Sequence, residues 1–450
     1  MTAPAMPLVP GAHDGVPWPF DRFEGFSGLP ISTDPLNWPG YRAKLEQARE
    51  RTGQDQAVSA GAASVDGQRC IALIFNFGFL AGTLGQAEGE AVVLAATEAT
   101  RRRLPLVSVV RSGGARMQEG TTSLFAMSAI ARALTALAAA GVAHIAVVAN
   151  PATGGVWASL SAAADVVVAA EGAQIAFAGT RVRGSGHGQA SGAFSAAGKH
   201  ASGFVDVVVT EAQLALVVGR YVRLLSPASK GALVPPPLPR AGPTGKPPPD
   251  GWTAVTGARS SSRRPAARYL AEYFEETVVI WGDRAGGVDQ RVECGVGRRG
   301  GVSIAFICQQ GGPVAAAGFR TAGRLLALAQ RLGLPVITFV DTEGAQNTAE
   351  GETEGVGTAI ALLFQQLASA TVPILSVVVG QGISGGAMSL INPENLWLAA
   401  DSYLAVIAPE AAAAILKRPE AQVPELARQL GLTPDHLVRL GLARGVLPTR

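Results

Sequence analysis

The chain carries one pattern twice. Leu104 to Gly120 (LPLVSVVRSGGARMQEG) is echoed by Leu334 to Gly351 (LPVITFVDTEGAQNTAEG), and about thirty-five residues after each stands a glycine pair. The pairs are Gly154-Gly155 in ANPATGGVWASL and Gly385-Gly386 in VVGQGISGGAMSL; each follows a β-branched run and leads into small residues that can begin a helix. Self-similarity of this kind marks an internal duplication. It restricts the chain to folds in which each half builds its own sheet and core, and two facing glycine pairs would hold two developing oxyanions where one pair holds one.

With 450 residues, 48% hydrophobic and 16% charged, the chain is long and apolar enough for two sizeable cores. A net charge of +3 is too small for a nucleic-acid-binding protein. The N-terminal MTAPAMPLVPGAHDG lacks a basic region followed by an apolar core, so no signal peptide is expected and a cytoplasmic enzyme is the default. Gly355 to Pro393 has no charged residue, but Pro373 and the glycines at 380, 382, 385 and 386 divide it into helix, strand and turn, which argues for a buried sheet core and against a membrane span. Cys70, Cys294 and Cys308 form no CxxC pair, and His144, His187, His200 and His436 lack ligand spacing, so no metal is expected.

Residues 1–40, rich in proline and aromatics, read as an N-terminal arm leading into a helix near Tyr41 to Arg51. Residues 41–225 form a first αβ domain, 226–264 (PPPLP, KPPP, SSSRR) a proline-rich linker, and 265–450 a second αβ domain. Short β-branched runs at Cys70 to Phe75, Leu106 to Val110, His144 to Val148 and Asp165 to Val168 alternate with alanine-rich helical stretches at Glu88 to Arg102 and Thr122 to Ala140. Strands at Val302 to Ile307, Val336 to Val340, Ile374 to Val379 and Leu396 to Ala399 repeat the scheme, with helices at Ala411 to Lys417 and Pro424 to Leu430 near the end. Strand, helix, strand at this spacing implies right-handed crossovers in an α/β fold.

The glycine turns at strand ends point to oxyanion stabilisation. Glycine admits unusual backbone angles and close approach of a carbonyl, and successive N–H groups at a helix start aim at its oxygen. The competing role for such a pair is tight helix–strand packing, and recurrence in both halves favours the site. No GxSxG elbow, HExxH, Walker loop or cysteine cluster accompanies the turns. Chemistry carried by backbone amides, with a substrate or cofactor supplying its own base, accounts for that economy.

At this point a family likeness becomes specific. SGGARMQEG (112–120), PATGGVWAS (151–159) and IAFAGTRV (175–182) resemble the β subunit of bacterial acetyl-CoA carboxylase carboxyltransferase. GDRAGG (282–287), LPVITFVDTEGA (334–345), SGGAMS (384–389), SYLAVIAPEAAAAILKR (402–418) and LTPDHLVRLGLARGVLP (432–448) resemble the α subunit, in the family's order. The resemblance covers roughly residues 35 to 448 and implies two tandem crotonase-like domains of the ClpP/crotonase superfamily, the first on the acyl-CoA side and the second on the biotin side. It implies transfer of a carboxyl group from N-carboxybiotin, on a separate biotin carboxyl carrier protein served by a biotin carboxylase, to the α-carbon of an acyl-CoA of acetyl or propionyl kind, a reaction that would supply malonyl or substituted malonyl units. Carried across by motif, Gly154 and Gly155 would hold the thioester or enolate oxygen, and Gly386 and Ala387 the biotin ureido oxygen. Gly113, Gly114, Ala115 and Arg116 would form the turn that contacts coenzyme A, with Ser384 and Gly385 on the biotin side. A homodimer or a ring of dimers is implied as well.

Several positions depart from the family pattern. The four-cysteine ribbon with which bacterial β subunits commonly begin has no counterpart in this sequence. In DTEGAQNTAEGETEG (341–355), Glu343, Gln346 and Asn347 replace a proline, a tyrosine and a proline beside the expected biotin entrance. Residues 183–200 are rich in glycine and serine where the family has a more hydrophobic helix by the acyl pocket, and Arg181, Arg183 and Lys199 are candidates for CoA phosphates. Ser389 is expected to face the acyl or biotin pocket. Two other classes remain open beside the transferase: a biotin-independent malonyl-thioester decarboxylase or acyl-processing enzyme, and an inactive assembly subunit, against which the intact glycine pairs argue.

Overall fold

A computed structural model describes residues 20–179, 192–226, 233–241 and 247–448. The chain divides into two compact units, residues 1–227 and 228–450. In the first, β1 (Arg22–Gly25) pairs antiparallel with β2 (Val58–Val65), which forms a hairpin with β3 (Gln68–Phe75); helix α1 (Tyr41–Thr52) lies between β1 and β2 in sequence. Asp66 and Gly67, with φ of 48° and 71°, make the two-residue turn whose twist suits a hairpin. There follow α2 (Gln86–Arg102), β4 (Leu106–Ser112), α3 (Thr122–Ala139), β5 (His144–Thr153), α4 (Gly154–Val156), β6 (Val166–Ala170), β7 (Ile175–Ala176), α5 (Ala196–Ala201), β8 (Val207–Val209) and α6 (Leu214–Leu225). The sheet order is β1-β2-β3-β4-β5-β6-β8, parallel from β3 onward, with β7 beside the end of β5.

The second unit begins with α7 (Gly251–Ala258), α8 (Ala266–Tyr273), β9 (Glu276–Val279), β10 (Val292–Arg299), β11 (Val302–Gln309), β12 (Pro313–Val314) and α9 (Ala316–Leu332). It continues through β13 (Val336–Thr342), β14 (Gly344–Ala345), α10 (Ala349–Thr353), α11 (Val356–Ala368), β15 (Ile374–Ile383) and α12 (Ser384–Met388). The remaining elements are β16 (Leu396–Leu398), β17 (Tyr403–Ala405), α13 (Pro409–Ile415), α14 (Val423–Gln429), α15 (Pro434–Arg439) and β18 (Gly445–Val446). Its sheet, β9-β10-β11-β13-β15-β16-β18, repeats the first in order and direction, with β17 in the place of β7. In the first unit Leu106 pairs with His144 and Ser112 with Ala152; in the second Val336 pairs with Ile374 and Thr342 with Gly382. From 106 to 336 and from 144 to 374 the shift is 230 positions in each case.

Burial on both faces explains the near-continuous apolar strands. Ile71, Leu73, Leu106, Val110, Ala146, Val148 and Val167 share one core with Ala91, Ala95 and Ala99 of α2, whose small side chains let the helix lie close to the sheet. A Cβ on Gly89 would stand 2.6 Å from the Ala126 Cβ, so a helix-weakening glycine is kept where α2 and α3 touch. By length and composition α3 is apolar enough to cross a membrane; here it is a helix packed on α2. In the second unit Phe339 sits within ring contact of Tyr269 and Tyr273, with centroids 6.4 and 5.8 Å away.

Two stretches behave differently from their composition. From residue 20 onward the expected arm contributes β1 to the sheet edge. The end of the expected linker folds: Asp250 caps α7 by accepting from the Thr253 N–H at 2.8 Å, and Ala254, Val255 and Ala258 pack against Ile383, Tyr403, Ala427 and Leu432. Its polar and proline-rich flanks hid a short apolar face.

Candidate active site

Each unit ends its two central strands in turns that touch through their backbones. After β4, Gly113 donates its N–H to the Ala81 carbonyl at 2.9 Å, and Gly114, at φ 107°, donates to Ser112 Oγ at 3.1 Å. Ala115 then bridges to Leu84, placing the turn beside the start of α2. After β5, Gly154 takes φ 66° and begins α4, which continues as a wider π-helical turn over Trp157–Ser161. A Cβ on Gly154 would lie 3.0 Å from the Gly114 Cα, so the two turns have room for backbone only. The first N–H groups of a helix have no acceptor within it, so the residues after Thr153 present donors at this junction.

The second unit builds the same junction with other residues. Gly344 has the φ of Gly114, 107°, and donates to Thr342 Oγ1 at 3.0 Å. Ala345 pairs with Val314 as Ala115 does with Leu84. Ser384, at φ 61°, occupies the place of Gly154, and a Cβ on Gly386 would lie 2.7 Å from the Ala345 nitrogen and the Gly344 carbonyl carbon. The 230-position shift therefore matches Gly155 with Gly385 and Gly154 with Ser384, not one glycine pair with the other. Ala115, Gly155, Ala345 and Gly385 are half-buried and reachable, whereas Gly386 is buried and Ala387 is 0% exposed. Pairing the glycines by letter displaced the correspondence by one residue and left out the turn at Gly344 and Ala345.

Arg116 lies beneath the first junction, 1% exposed. Its Nη2 donates to Glu88 Oε1 at 2.6 Å and to the Thr83 carbonyl at 2.6 Å, its Nη1 to Glu119 Oε1 and Ser32 Oγ at 3.0 Å each, and its Nε to Thr83 Oγ1 at 3.1 Å. Glu119 also accepts from Tyr41 OH at 3.0 Å and from the Gln86 N–H at 2.7 Å; Glu88 accepts from the Ala57 and Gly85 N–H groups at 2.9 and 3.0 Å. Burial opposes the Arg116 charge, but Glu88, Tyr41 and Glu119 outweigh it and hold its pKa above the usual arginine value. The Tyr41 phenol is pushed up by burial, against the pull of Arg116. Arg116 and Glu119 thus act as structural groups that tie the 113–115 turn to α1 and α2. Glu88, Tyr41 and Ser32, distant in sequence, escaped the sequence reading.

The other expected residues fall as follows. Ser389 is fully buried and donates to the Gly386 carbonyl at 3.1 Å, which also accepts from Gln309 Nε2 at 3.2 Å, so it faces the fold and not a pocket. Lys199 stands 5.2 Å from the centre of the Phe204 ring, its pKa lowered by burial. Arg181 and Arg183 lie outside the described residues. In the 341–355 loop, Thr348 caps α10 by accepting from the Gly351 N–H at 3.2 Å. In GDRAGG, Asp283 accepts from the Ala285 and Gly287 N–H groups at 2.7 and 2.8 Å and from Arg320 Nε at 2.7 Å, which makes the motif an anchor for α9. Among the described residues no group of three or more His, Cys, Asp or Glu side chains is placed to hold a metal ion.

Comparison with known proteins identifies the family. Residues 250–449 match the acetyl co-enzyme A carboxylase carboxyltransferase-like family. The chain is 36% identical to the acetyl-coenzyme A carboxylase carboxyl transferase subunits beta/alpha of Saccharopolyspora erythraea, over 97% of this chain and 80% of that one. The chain belongs to the acyl-CoA carboxylase carboxyltransferase family. A probable biotin-dependent acyl-coenzyme A carboxylase beta3 subunit of Mycobacterium tuberculosis is 32% identical over 92% of this chain and 85% of its own length. Among solved structures, a transcarboxylase 12S hexamer with hydrolysed methylmalonyl-coenzyme A superposes with TM-score 0.77 at 18% identity, covering 94% of this chain and 83% of that one. A single-chain, multi-domain long-chain acyl-CoA carboxylase gives 0.74 at 20% identity over 95% of this chain and 43% of its own. The carboxyltransferase is thus an enzyme with two crotonase-like domains.

Two sets of variants test the site's construction. Arg116→Met strands two buried carboxylates and is expected to cost about 3–5 kcal/mol, whereas Tyr41→Phe removes one bond to a charged group and costs about 1.5–3 kcal/mol; denaturant unfolding reads both, and equal, negligible effects would refute the anchoring role. The sequence alone predicts that Gly155→Val and Gly386→Val each abolish transfer in a folded protein. The structure separates them, because a Cβ at 155 meets only the movable end of Met127, at 1.9 Å, while one at 386 meets backbone. Gly386→Ala is expected to lower turnover about 100-fold by displacing the 344–345 turn, and Gly155→Ala less, with Met127→Ala restoring the latter; steady-state kinetics in which the order is reversed would overturn this account.

Proposed function

We propose that this carboxyltransferase moves a carboxyl group from N-carboxybiotin, presented by a separate biotin carboxyl carrier protein that a biotin carboxylase recharges, to the α-carbon of an acyl-CoA of acetyl or propionyl size. The observation that carries the proposal is the duplicated two-turn junction, which offers reachable backbone donors in each unit. In the first unit the Ala115 and Gly155 N–H groups receive the thioester oxygen and stabilise it as it becomes an enolate oxygen. The buried Arg116 network holds that turn so that its donors need not reorganise. In the second unit the Ala345 and Gly385 N–H groups receive the ureido oxygen of biotin. These residues suit biotin because a planar ureido carbonyl needs convergent donors and close backbone approach, both of which the Gly344–Gly386 contact permits.

Biotin, held at its ureido oxygen by the Ala345 and Gly385 N–H groups, would supply the carboxyl group and a ureido nitrogen basic enough to take the α-proton. Loss of a donor of this kind typically costs 10²- to 10³-fold in turnover. We further propose that the enzyme works as a homodimer or a ring of dimers. The transcarboxylase neighbour is described as a hexamer, and α3 carries Leu124 and Phe125, 56% and 73% exposed.

Incubation of the purified protein with malonyl-CoA and methylmalonyl-CoA, with and without free biotin, tests the chemistry, with the decarboxylated acyl-CoA followed by mass spectrometry. Biotin-dependent loss of the carboxyl group is expected, from whichever acyl chain fits. Loss at the same rate without biotin would replace the transferase by a decarboxylase. No loss in either case, together with no transfer from a carboxylated carrier protein, would overturn the proposal. Light scattering on the same preparation is expected to give at least twice the protomer mass, and an active monomer would sink the assembly.

A further inference from the structure

The second unit has a cavity of about 440 Å3 between the proline-rich segment at 239–240, helix α8 and the end of β10, and none of its lining residues belongs to a glycine junction. Three guanidinium groups line it, from Arg240, Arg264 and Arg299, against a single carboxylate, that of Glu272. That carboxylate is already shared: it accepts from Arg264 Nη2 at 2.6 Å and from Arg268 Nε at 2.8 Å. The cavity therefore carries an excess of positive charge that its own residues do not neutralise.

The guanidinium groups are held in place before any ligand arrives. Arg264 lies 3.9 Å from the centre of the Tyr269 ring and donates Nη1 to the Arg240 carbonyl at 3.1 Å, while its Nε is buried with no partner. Arg299 lies 4.2 Å from the centre of the Tyr273 ring and spends one N–H on the Tyr273 carbonyl at 2.5 Å. Tyr273 in turn donates its hydroxyl to the Pro237 carbonyl at 2.7 Å, which pins the proline-rich segment against α8. Arg240 is exposed at the rim, and among the described residues its guanidinium makes no hydrogen bond or ion pair. Each guanidinium has five N–H donors in a rigid fork, and stacking on an aromatic ring fixes the plane of that fork. Unused donors from stacked arginines around an electropositive cavity match the oxygens of a phosphoryl group better than those of any neutral ligand. The volume lies in the range of small-molecule sites and is far larger than one phosphate needs.

We propose that this cavity binds the phosphoryl group of a small phosphorylated ligand, at a site separate from the carboxyl-transfer junctions. Recognition is by paired N–H donors of Arg240, Arg264 and Arg299, with Tyr269 and Tyr273 holding two of them in plane. A ligand there braces the proline-rich segment against α8.

Calorimetric titration of the full chain with inorganic phosphate, pyrophosphate and ADP, at constant ionic strength, tests the proposal. Saturable binding of at least one of them is expected, weakened about tenfold or more by Arg240→Glu and by Arg299→Gln. Arg240→Glu is the decisive variant, because that exposed side chain makes no hydrogen bond or ion pair among the described residues and the variant's circular dichroism should match the parent. Equal affinity for pyrophosphate and ADP would show that phosphoryl oxygens alone are read, and tighter ADP binding would show that the rest of the cavity takes a nucleoside; both support the site. Heats that follow ionic strength without saturation, or affinity unchanged in Arg240→Glu, would overturn it.

Discussion

The approach of backbone to backbone at the ends of the two central strands is the constraint on which the rest depends. Gly114 and Gly154 in one unit, and Gly344, Ala345 and Gly386 in the other, stand so close that a single added carbon would collide with main-chain atoms or sit at the tight edge of contact. Such proximity needs two parallel neighbours that end at the same level, and the pairings of Ser112 with Ala152 and of Thr342 with Gly382 provide it. It also needs left-handed turns, which Gly114 and Gly344 supply at the same φ of 107°. Helices α2 and α9, starting beside the turns, bury alanine-rich faces on the sheets and keep the strand ends in register. Fold and site are one construction, because the donors exist only where these strands stop.

The two units fasten the turn differently. In the first, a buried cation bonded to two carboxylates, a serine, a threonine and a backbone carbonyl ties it to α1 and α2. The second has Gln346 and Ala349 where the shift of 230 positions would bring Arg116 and Glu119, and there Asp289 accepts from the Ala315 N–H at 2.8 Å at the start of α9. A buried ion network adds little net stability over an apolar equivalent, but it penalises any other arrangement heavily, since a stranded charge is costly. The first unit thus fixes its turn with a fully buried network, and the second with the Arg263–Asp341 pair at the end of β13, 2.7 Å long, together with single hydrogen bonds.

How far this was legible in the sequence follows from which interactions are local. The duplication, the central strands and α2 and α3 could be read because their periodicity is written within ten to twenty residues. β2 escaped, since VSAGAASV has too many small residues to signal a strand by hydropathy, and its assignment rests on pairing with β3. Helix α7 was masked by proline-rich and polar flanks. The partners of Arg116 were out of reach for another reason: Glu88 is 28 positions away and Ser32 is 84, and only the fold brings them together. Letter matching of GG with GG hid the positional match of Ala345 with Ala115, which no motif marks.

Ser384 shows what the duplication has preserved. It holds φ 61° where the first unit has Gly154 at 66°. Left-handed backbone costs a residue with a Cβ about 1–2 kcal/mol, so the position would be easier with glycine. The conformation survives because β15 fixes the chain on one side and the contact of Gly386 with the 344–345 turn fixes it on the other. Serine there is exposed, whereas the first unit has no side chain at the matching position, Gly154. The halves have therefore kept the backbone path and let the side chain at its entrance diverge.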